Sequence, residues 1–315
     1  MMELQNFEKT NLVIKEKFLS FLKKNKPIKN RLKFSWSNWG FGIEPIELSV
    51  KRLKKYKVKY IELHGNLYGQ DLGYKPKILK KLLDDEGIKV SGICGMCSSE
   101  CELSSKSPFV RQKSIDYFRR NIDFCNQMNG EYIILGPGAV GRPIKYDDFE
   151  FDRAVEALQI LGDHFFKNNV KAALEPVRAD EVSLCHTFED ITKLIKAVNH
   201  KGVKHICGDL YHILHGESNM GEVLIEYKDY LVNLHMADTN RRALGSGMID
   251  LDTVIMALYL IGYNNKEAFC SAEPLGPGAD PYVQMYGKNN PAVLDKLVSD
   301  TASYFYKREE LLINQ

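Results

Sequence analysis

Short apolar runs alternate with amphipathic segments along almost the whole chain. Residues 32–36 read as a first strand, and Pro45, suited to the first turn of a helix, opens a segment with Leu48, Val50 and Leu53 on one face. Residues 58–64 read as a second strand, followed by a helix through Leu79, Leu82 and Leu83, and residues 88–94 as a third. A polar loop then precedes a helix whose apolar face is Ile115, Phe118, Ile122 and Cys125, at spacings of three and four. Residues 131–135 form a fourth strand, and the next helix buries Val155, Leu158, Leu161 and Phe165.

The second half repeats the pattern. A fifth strand runs to Glu175, and Thr187 with Asp190 three residues on has the form of a capping box for a helix carrying Ile191, Leu194, Ile195 and Val198. A sixth strand reaches Asp209 and precedes a helix near residues 219–229. A seventh reaches His235, after which Asp250 or Asp252 caps an apolar helix stopping at Gly262. The eighth reaches Glu273, and Asn290 with Pro291 opens a last helix through Leu294, Leu297, Val298 and Phe305. Eight strands alternating with helices predict an α/β fold, a (β/α)₈ TIM barrel over residues 31–315. Residues 1–30 form a basic helical extension whose apolar positions are Leu12, Val13, Phe18, Phe21 and Leu22; it either caps the barrel or enters a subunit interface.

Four successive strands therefore end in Glu175, Asp209, His235 and Glu273. In this fold the strand C-termini share one face, where active sites sit, so residues far apart in sequence converge on a contiguous arc. Three carboxylates placed together repel, and a divalent cation relieves the repulsion. Hard oxygen donors with one imidazole and no thiolate favour Mn²⁺ first, with Mg²⁺ or Co²⁺ as alternatives, over a closed zinc site. Further polar residues fall on the same rim: Glu181, His212 and Arg241, placed to clamp hydroxyl groups. Trp36 and Trp39 follow the first strand, where one aromatic face could cover the apolar side of a sugar; core packing is an equal reading for Trp36.

Composition narrows the partners. With 315 residues, 43 Lys and Arg against 41 Asp and Glu leave a formal charge of +2, so no global field recruits nucleic acid or a membrane surface. The densest basic run, residues 51–59, is explained by lysines at a helix C-terminus. Seven cysteines, an odd number, predict reduced thiols and a cytoplasmic protein, and the first residues lack the basic start and apolar run of a signal peptide.

At these residues the chain resembles the sugar phosphate isomerase/epimerase superfamily with the xylose isomerase-like barrel, and within it the D-tagatose 3-epimerase and D-allulose 3-epimerase family. The resemblance is carried by Leu174 and Glu175 with Glu181, by Gly208, Asp209 and His212, by His235 followed by Asn240, Arg241 and Arg242 with Gly245 and Gly247, and by Ala272, Glu273 and Pro274. It implies that Glu175, Asp209, His235 and Glu273 bind the metal, and that Glu181, His212 and Arg241 hold the substrate near its carbonyl end. Chelation of a ketose through its C2 carbonyl and C3 hydroxyl would let Glu175 and Glu273 act as an acid–base pair, inverting C3 through a cis-enediolate. Pro176 and the Pro/Gly-rich stretches at 136–143 and 274–281 depart from the usual pattern of the family.

The function expected is thus a metal-dependent isomerase, a ketose 3-epimerase, working as a homo-oligomer on a small sugar. The alternative is the catalytic subunit of a C-glycoside deglycosidase, a lyase acting on a 3-oxo-glycoside with a small β-sandwich partner. An apurinic-site endonuclease on this barrel would need a richer histidine cluster and a basic face. Cys94, Cys97 and Cys101 lack the partner ligands of a zinc site, and the Gly-Pro-Gly stretches at 136 and 276 lack the lysine of a phosphate loop. His64, His186 and His215 could border the pocket, but single histidines are more often satisfied structural residues, and they are left out of the expected site.

Overall fold

All eight apolar runs become strands: β1 (Phe34–Ser37), β2 (Tyr60–His64), β3 (Lys89–Cys94), β4 (Tyr132–Leu135), β5 (Lys171–Leu174), β6 (His205–Asp209), β7 (Leu231–Met236) and β8 (Phe269–Ala272). Each pairs in parallel with the next, and β8 closes on β1 to complete the barrel. Parallel strands covered on both faces need apolar residues at nearly every position, which is why the runs are continuous rather than alternating. The computed structural model describes residues 4–65, 73–274 and 290–315. The Gly276 stretch therefore lies outside the described residues.

The helices are α1 (Asn6–Asn25), α2 (Ile46–Lys55), α3 (Pro76–Glu86), α4 (Pro108–Gln127), α5 (Glu150–Asn168), α6 (Phe188–Val198), α7 (Leu210–Gly216), α8 (Met220–Glu226), α9 (Leu251–Leu260) and α10 (Pro291–Ile313). Their ends follow local chemistry. The Thr187 hydroxyl accepts from the Asp190 N–H to open α6, Asp250 rather than Asp252 caps α9, and Gly262 adopts a left-handed conformation after α9. The short helix α7 was not expected. It starts directly at Asp209, whose carboxylate accepts from the Tyr211 N–H at 2.8 Å, and it is too short to show a period.

The amino-terminal helix α1 packs on the outer helical layer, against α8 and α9. Its buried residues are Ile14, Phe18 and Leu22, a stripe at spacings of four, and the Phe18 ring sits 6.1 Å from that of Tyr259. Leu12 and Val13, read as part of the apolar face, are exposed instead, and Leu48 on α2 is exposed too. Phe18 and Leu22 on α1 and Val50 and Leu53 on α2 are buried as expected, while Ile14 takes the place on α1 expected of Leu12 and Val13. Asn11 ties α1 to the caps of both neighbours, donating to Asp250 and accepting from Asn219.

Inside the barrel, side chains stack in layers. Tyr60, Tyr132, Ile134, Ala173, Cys207, Val232 and Phe269 fill one apolar layer. A polar layer lies against it. The Tyr132 hydroxyl donates to Glu62 at 2.7 Å, the Ser271 hydroxyl donates to Asn233, the Asn233 amide donates to Glu62, and Ser35 meets Ser91 at 2.7 Å. A buried polar layer of this kind is stable only when each member is satisfied, and these are. Among the described residues no helix is long and apolar enough to cross a membrane.

Candidate active site and metal centre

The ends of β5 to β8 carry the four residues the sequence singled out. The backbone N–H of Glu175 donates to Leu135 and that of Glu273 to Met236, so both glutamates extend the ladder by one rung and are fixed at the backbone. Asp209 and His235 are register partners on β6 and β7. At the centre is the His235 imidazole: Nδ1 lies 3.1 Å from Glu175 and 3.4 Å from Glu273. Donor atoms of Asp209, His235 and Glu273 lie within 4.8 Å of one another, as do those of Glu175, Asp209 and His212. Donors held at roughly 2.1 Å from one ion stand no more than about 4.2 Å apart, so these groups would draw slightly closer together around a hard divalent cation.

The electrostatics point the same way. Burial pushes the Glu273 carboxyl up to about 8, with the charges of Asp209 and Glu175 adding to the rise and His235 and Arg241 opposing it. Burial alone would lower the His235 imidazole, but Glu273 and Glu62 outweigh it and hold the ring well above its ordinary value. Burial and the neighbouring carboxylates thus disfavour a bare Glu273 carboxylate here, a cost that a bound cation would relieve.

The expected substrate clamps line the same cavity, which measures about 880 Å³ and has Trp39, Glu175, Glu181, His212, Arg241 and Glu273 in its wall. Arg241 reaches Asp209 at 3.5 Å and Glu273 at 3.7 Å, and His212 lies 3.5 Å from Asp209. Arg241 stands at a left-handed φ of 53° in a turn closed by its N–H to Asp238. Asp238 organises that turn, accepting from Thr239, Gly245 and Ile249. A Cβ on Gly247 would fall 2.2 Å from the Asp238 carboxylate, so only glycine fits there. Glu181 meets Arg178 at 2.5 Å. Trp36, in contrast, is buried and stacked on Phe41.

Four residues of the site escaped the sequence reading. Glu62, in the middle of β2, is wholly buried and lies 2.9 Å from His235 Nε2. Tyr132 supports Glu62 from β4. Tyr211 offers its ring to two guanidinium groups, Arg241 at 4.5 Å and Arg178 at 4.9 Å. His64 lies in the cavity wall. The signal for Glu62 was present as a carboxylate inside a run that otherwise reads as buried strand. His186 and His215 are structural, each pairing a ring nitrogen with a backbone carbonyl. All seven cysteines are free; Cys97 exchanges contacts with the Gly136 backbone, and Cys94 approaches Glu273 at 3.9 Å.

The loop between β4 and α5 is pinned by Arg142, which pairs with the buried carboxylates of Glu102 and Glu150 and stacks on Tyr146. This clasp sets the position of Val140 and Gly141 on the cavity wall.

The profile of the xylose isomerase-like TIM barrel family matches residues 50–284. The chain belongs to this family. Among its relatives, a ketose 3-epimerase of Arthrobacter globiformis is 22% identical over 239 residues, covering 73% of this chain and 78% of the relative. A 3-dehydro-D-guloside 4-epimerase of Escherichia coli is 28% identical over 241 residues, 74% of this chain and 89% of the relative. The crystal structure of a D-allulose 3-epimerase from Methylomonas sp. superposes with a TM-score of 0.74 at 19% identity, covering 89% of this chain and 98% of that one, which shows the shared fold. The resemblance read from the strand ends is borne out, and so is the expectation of an isomerase of the ketose 3-epimerase type.

Proposed function

We propose that the chain is a divalent-cation-dependent sugar epimerase that inverts a carbon next to a ketone carbonyl, C3 of a ketose in the first instance. The observation that carries this reading is the placement of Glu175 and Glu273 on β5 and β8, flanking the Asp209 and His235 pair, with both carboxylates within 3.4 Å of one imidazole nitrogen. Asp209, His235, Glu175 and Glu273 would hold the cation, Mn²⁺ before Mg²⁺ or Co²⁺. When bound, the cation polarises the carbonyl and stabilises the charge left as the proton departs.

The chain's own residues supply the rest. A carbon seated between the two glutamates has one on each side, so one removes the C3 proton and the other returns a proton to the opposite face. Arg241, between Asp209 and Glu273, places a permanent positive charge beside the oxygen that becomes negative in the enediolate. His212 and Glu181 hold the neighbouring hydroxyls, and Trp39 gives the cavity an apolar side.

The size of the cavity favours a second substrate for the same chemistry. About 880 Å³ lies near the upper end of the roughly 300–1,000 Å³ that accommodates drug-sized ligands, more than one free ketose requires. A 3-oxo-glycoside, deprotonated beside its ring ketone, would use the extra room for its aglycone, and one relative named above is a 4-epimerase of such a compound.

The test is NMR in D₂O of Mn²⁺-loaded protein with D-fructose, D-tagatose, D-allulose and a 3-oxo-glucoside. Deuterium at C3 of a ketose with appearance of its epimer supports the first reading, and deuterium at the ring carbons beside the ketone supports the second. No exchange beside the carbonyl of any of them sinks both.

A further inference from the structure

Strand β2 brings a second polar residue to the site. Side chains of a strand alternate, so Glu62 and His64 both face the barrel interior, Glu62 beneath His235 and His64 one layer higher in the cavity wall. His64 is 0% exposed, yet neither ring nitrogen has a hydrogen-bond partner among the described residues. Burial pushes the imidazole down to about 3, so at neutral pH it presents one donor and one acceptor nitrogen.

Its backbone is held firmly while its ring is left unmatched. The His64 N–H donates to Asn38 at 2.7 Å, and the Gly65 N–H donates to Cys94 at 2.9 Å. A Cβ on Gly65 would come within 2.8 Å of both the Cys94 carbonyl and the Tyr117 hydroxyl, so the chain can take this path only with glycine next to His64. The Trp39 ring lies 6.5 Å from the imidazole, tilted by 33°. A donor, an acceptor and an aromatic face side by side suit a group that is polar at its edge and apolar on its flank, as a polyol chain or sugar ring is. An unmatched buried polar side chain is destabilising, and is explained when a ligand completes it.

Position tells which part of the ligand this is. In the closed order of strands, β2 stands across the mouth from β6, which carries Asp209. We propose that His64 is a substrate-binding residue that receives the end of the sugar remote from the reacting carbons, hydrogen-bonding a hydroxyl there while Trp39 covers the adjoining C–H face. This rests on the epimerase reading, and it makes residue 64 the position that separates long from short ketoses.

The test is His64→Leu, which keeps the volume and removes both nitrogens. Without ligand, the thermal midpoint should stay within about 2 °C of wild type or rise, since no partner is lost. A fall of more than about 4 °C would mean that the ring has a structural partner and would overturn the proposal. With Mn²⁺, kcat/KM for D-fructose or D-tagatose should drop at least roughly tenfold more than kcat/KM for D-erythrulose, which has no carbon beyond C4. Equal drops for long and short sugars, or none, would also overturn it. Wild-type protein inactive on all three sugars would count against the epimerase reading instead, and the midpoint would still decide whether the His64 ring is free for a ligand.

Discussion

His235 Nε2 lies 2.9 Å from Glu62, while Nδ1 of the same ring faces Glu175 and Glu273. A proton on Nε2 donated to Glu62 leaves Nδ1 as the nitrogen that can meet a cation, and it fixes the plane of the ring. Burial opposes ionisation of Glu62, but the charge and hydrogen bond of His235 and the hydrogen bond from Tyr132 outweigh it and hold the carboxyl below its ordinary value. Glu62→Gln should therefore weaken Mn²⁺ binding by roughly 10- to 100-fold, measured by calorimetric titration of the metal-free protein. Unchanged affinity would show that Glu62 does not orient the ring.

The two strand-end glutamates should fail in different ways. Glu175→Gln and Glu273→Gln should each lower kcat for epimerisation by roughly 10² to 10⁴, with manganese content checked in each variant. On the proposed mechanism each carboxylate serves one face of C3, so each variant should still exchange the C3 hydrogen of one epimer with solvent and not of the other. NMR of D-fructose and D-allulose incubated separately in D₂O reads this directly. Identical behaviour of both variants toward both sugars would rule out a pair of opposed bases.

Two buried histidines should make the fold sensitive to acid. Burial depresses His64 to about 3 and His205 to about 4, against an ordinary value of 6.5. Below 6.5 the unfolded chain takes up a proton on each ring that the folded chain refuses, so stability falls with decreasing pH until the folded rings titrate in turn. Each ring contributes a slope of about 1.4 kcal/mol per pH unit within that window. Urea unfolding at pH 7, 6, 5 and 4 should show His64→Leu losing less stability than wild type, by about that amount per unit below 6. Parallel curves would mean that His64 is not held neutral.

The amino-terminal helix should be part of the folded unit. Phe18 is fully buried against Tyr259, so Phe18→Ala should cost about 3–5 kcal/mol in urea unfolding. A cost below about 1 kcal/mol would show that α1 is only loosely attached.

The barrel was legible because its signals are local and repeated: eight apolar runs, Pro45 and Pro291 near helix starts, Thr187 and Asp250 as caps. The convergence of Glu175, Asp209, His235 and Glu273 was legible because the fold itself places strand ends together. What remained hidden depends on contacts across the barrel. Glu62 and Tyr132 lie 70 positions apart and meet only once the sheet closes, and nothing local marks a carboxylate in a buried strand as paired. The exposed Leu12 and Val13 were misplaced for a related reason, since the stripe of α1 that is covered depends on where α8 and α9 stand.

Glu62 and His64 hang from the same short strand, two residues apart, yet they serve separate storeys of the barrel. A change of side chain at position 64 leaves the Glu62 support under His235 standing. On the proposed epimerase reading, a lineage carrying this scaffold could alter its diet of sugars by single codons in the upper storey while inheriting the proposed ion-holding residues below unaltered.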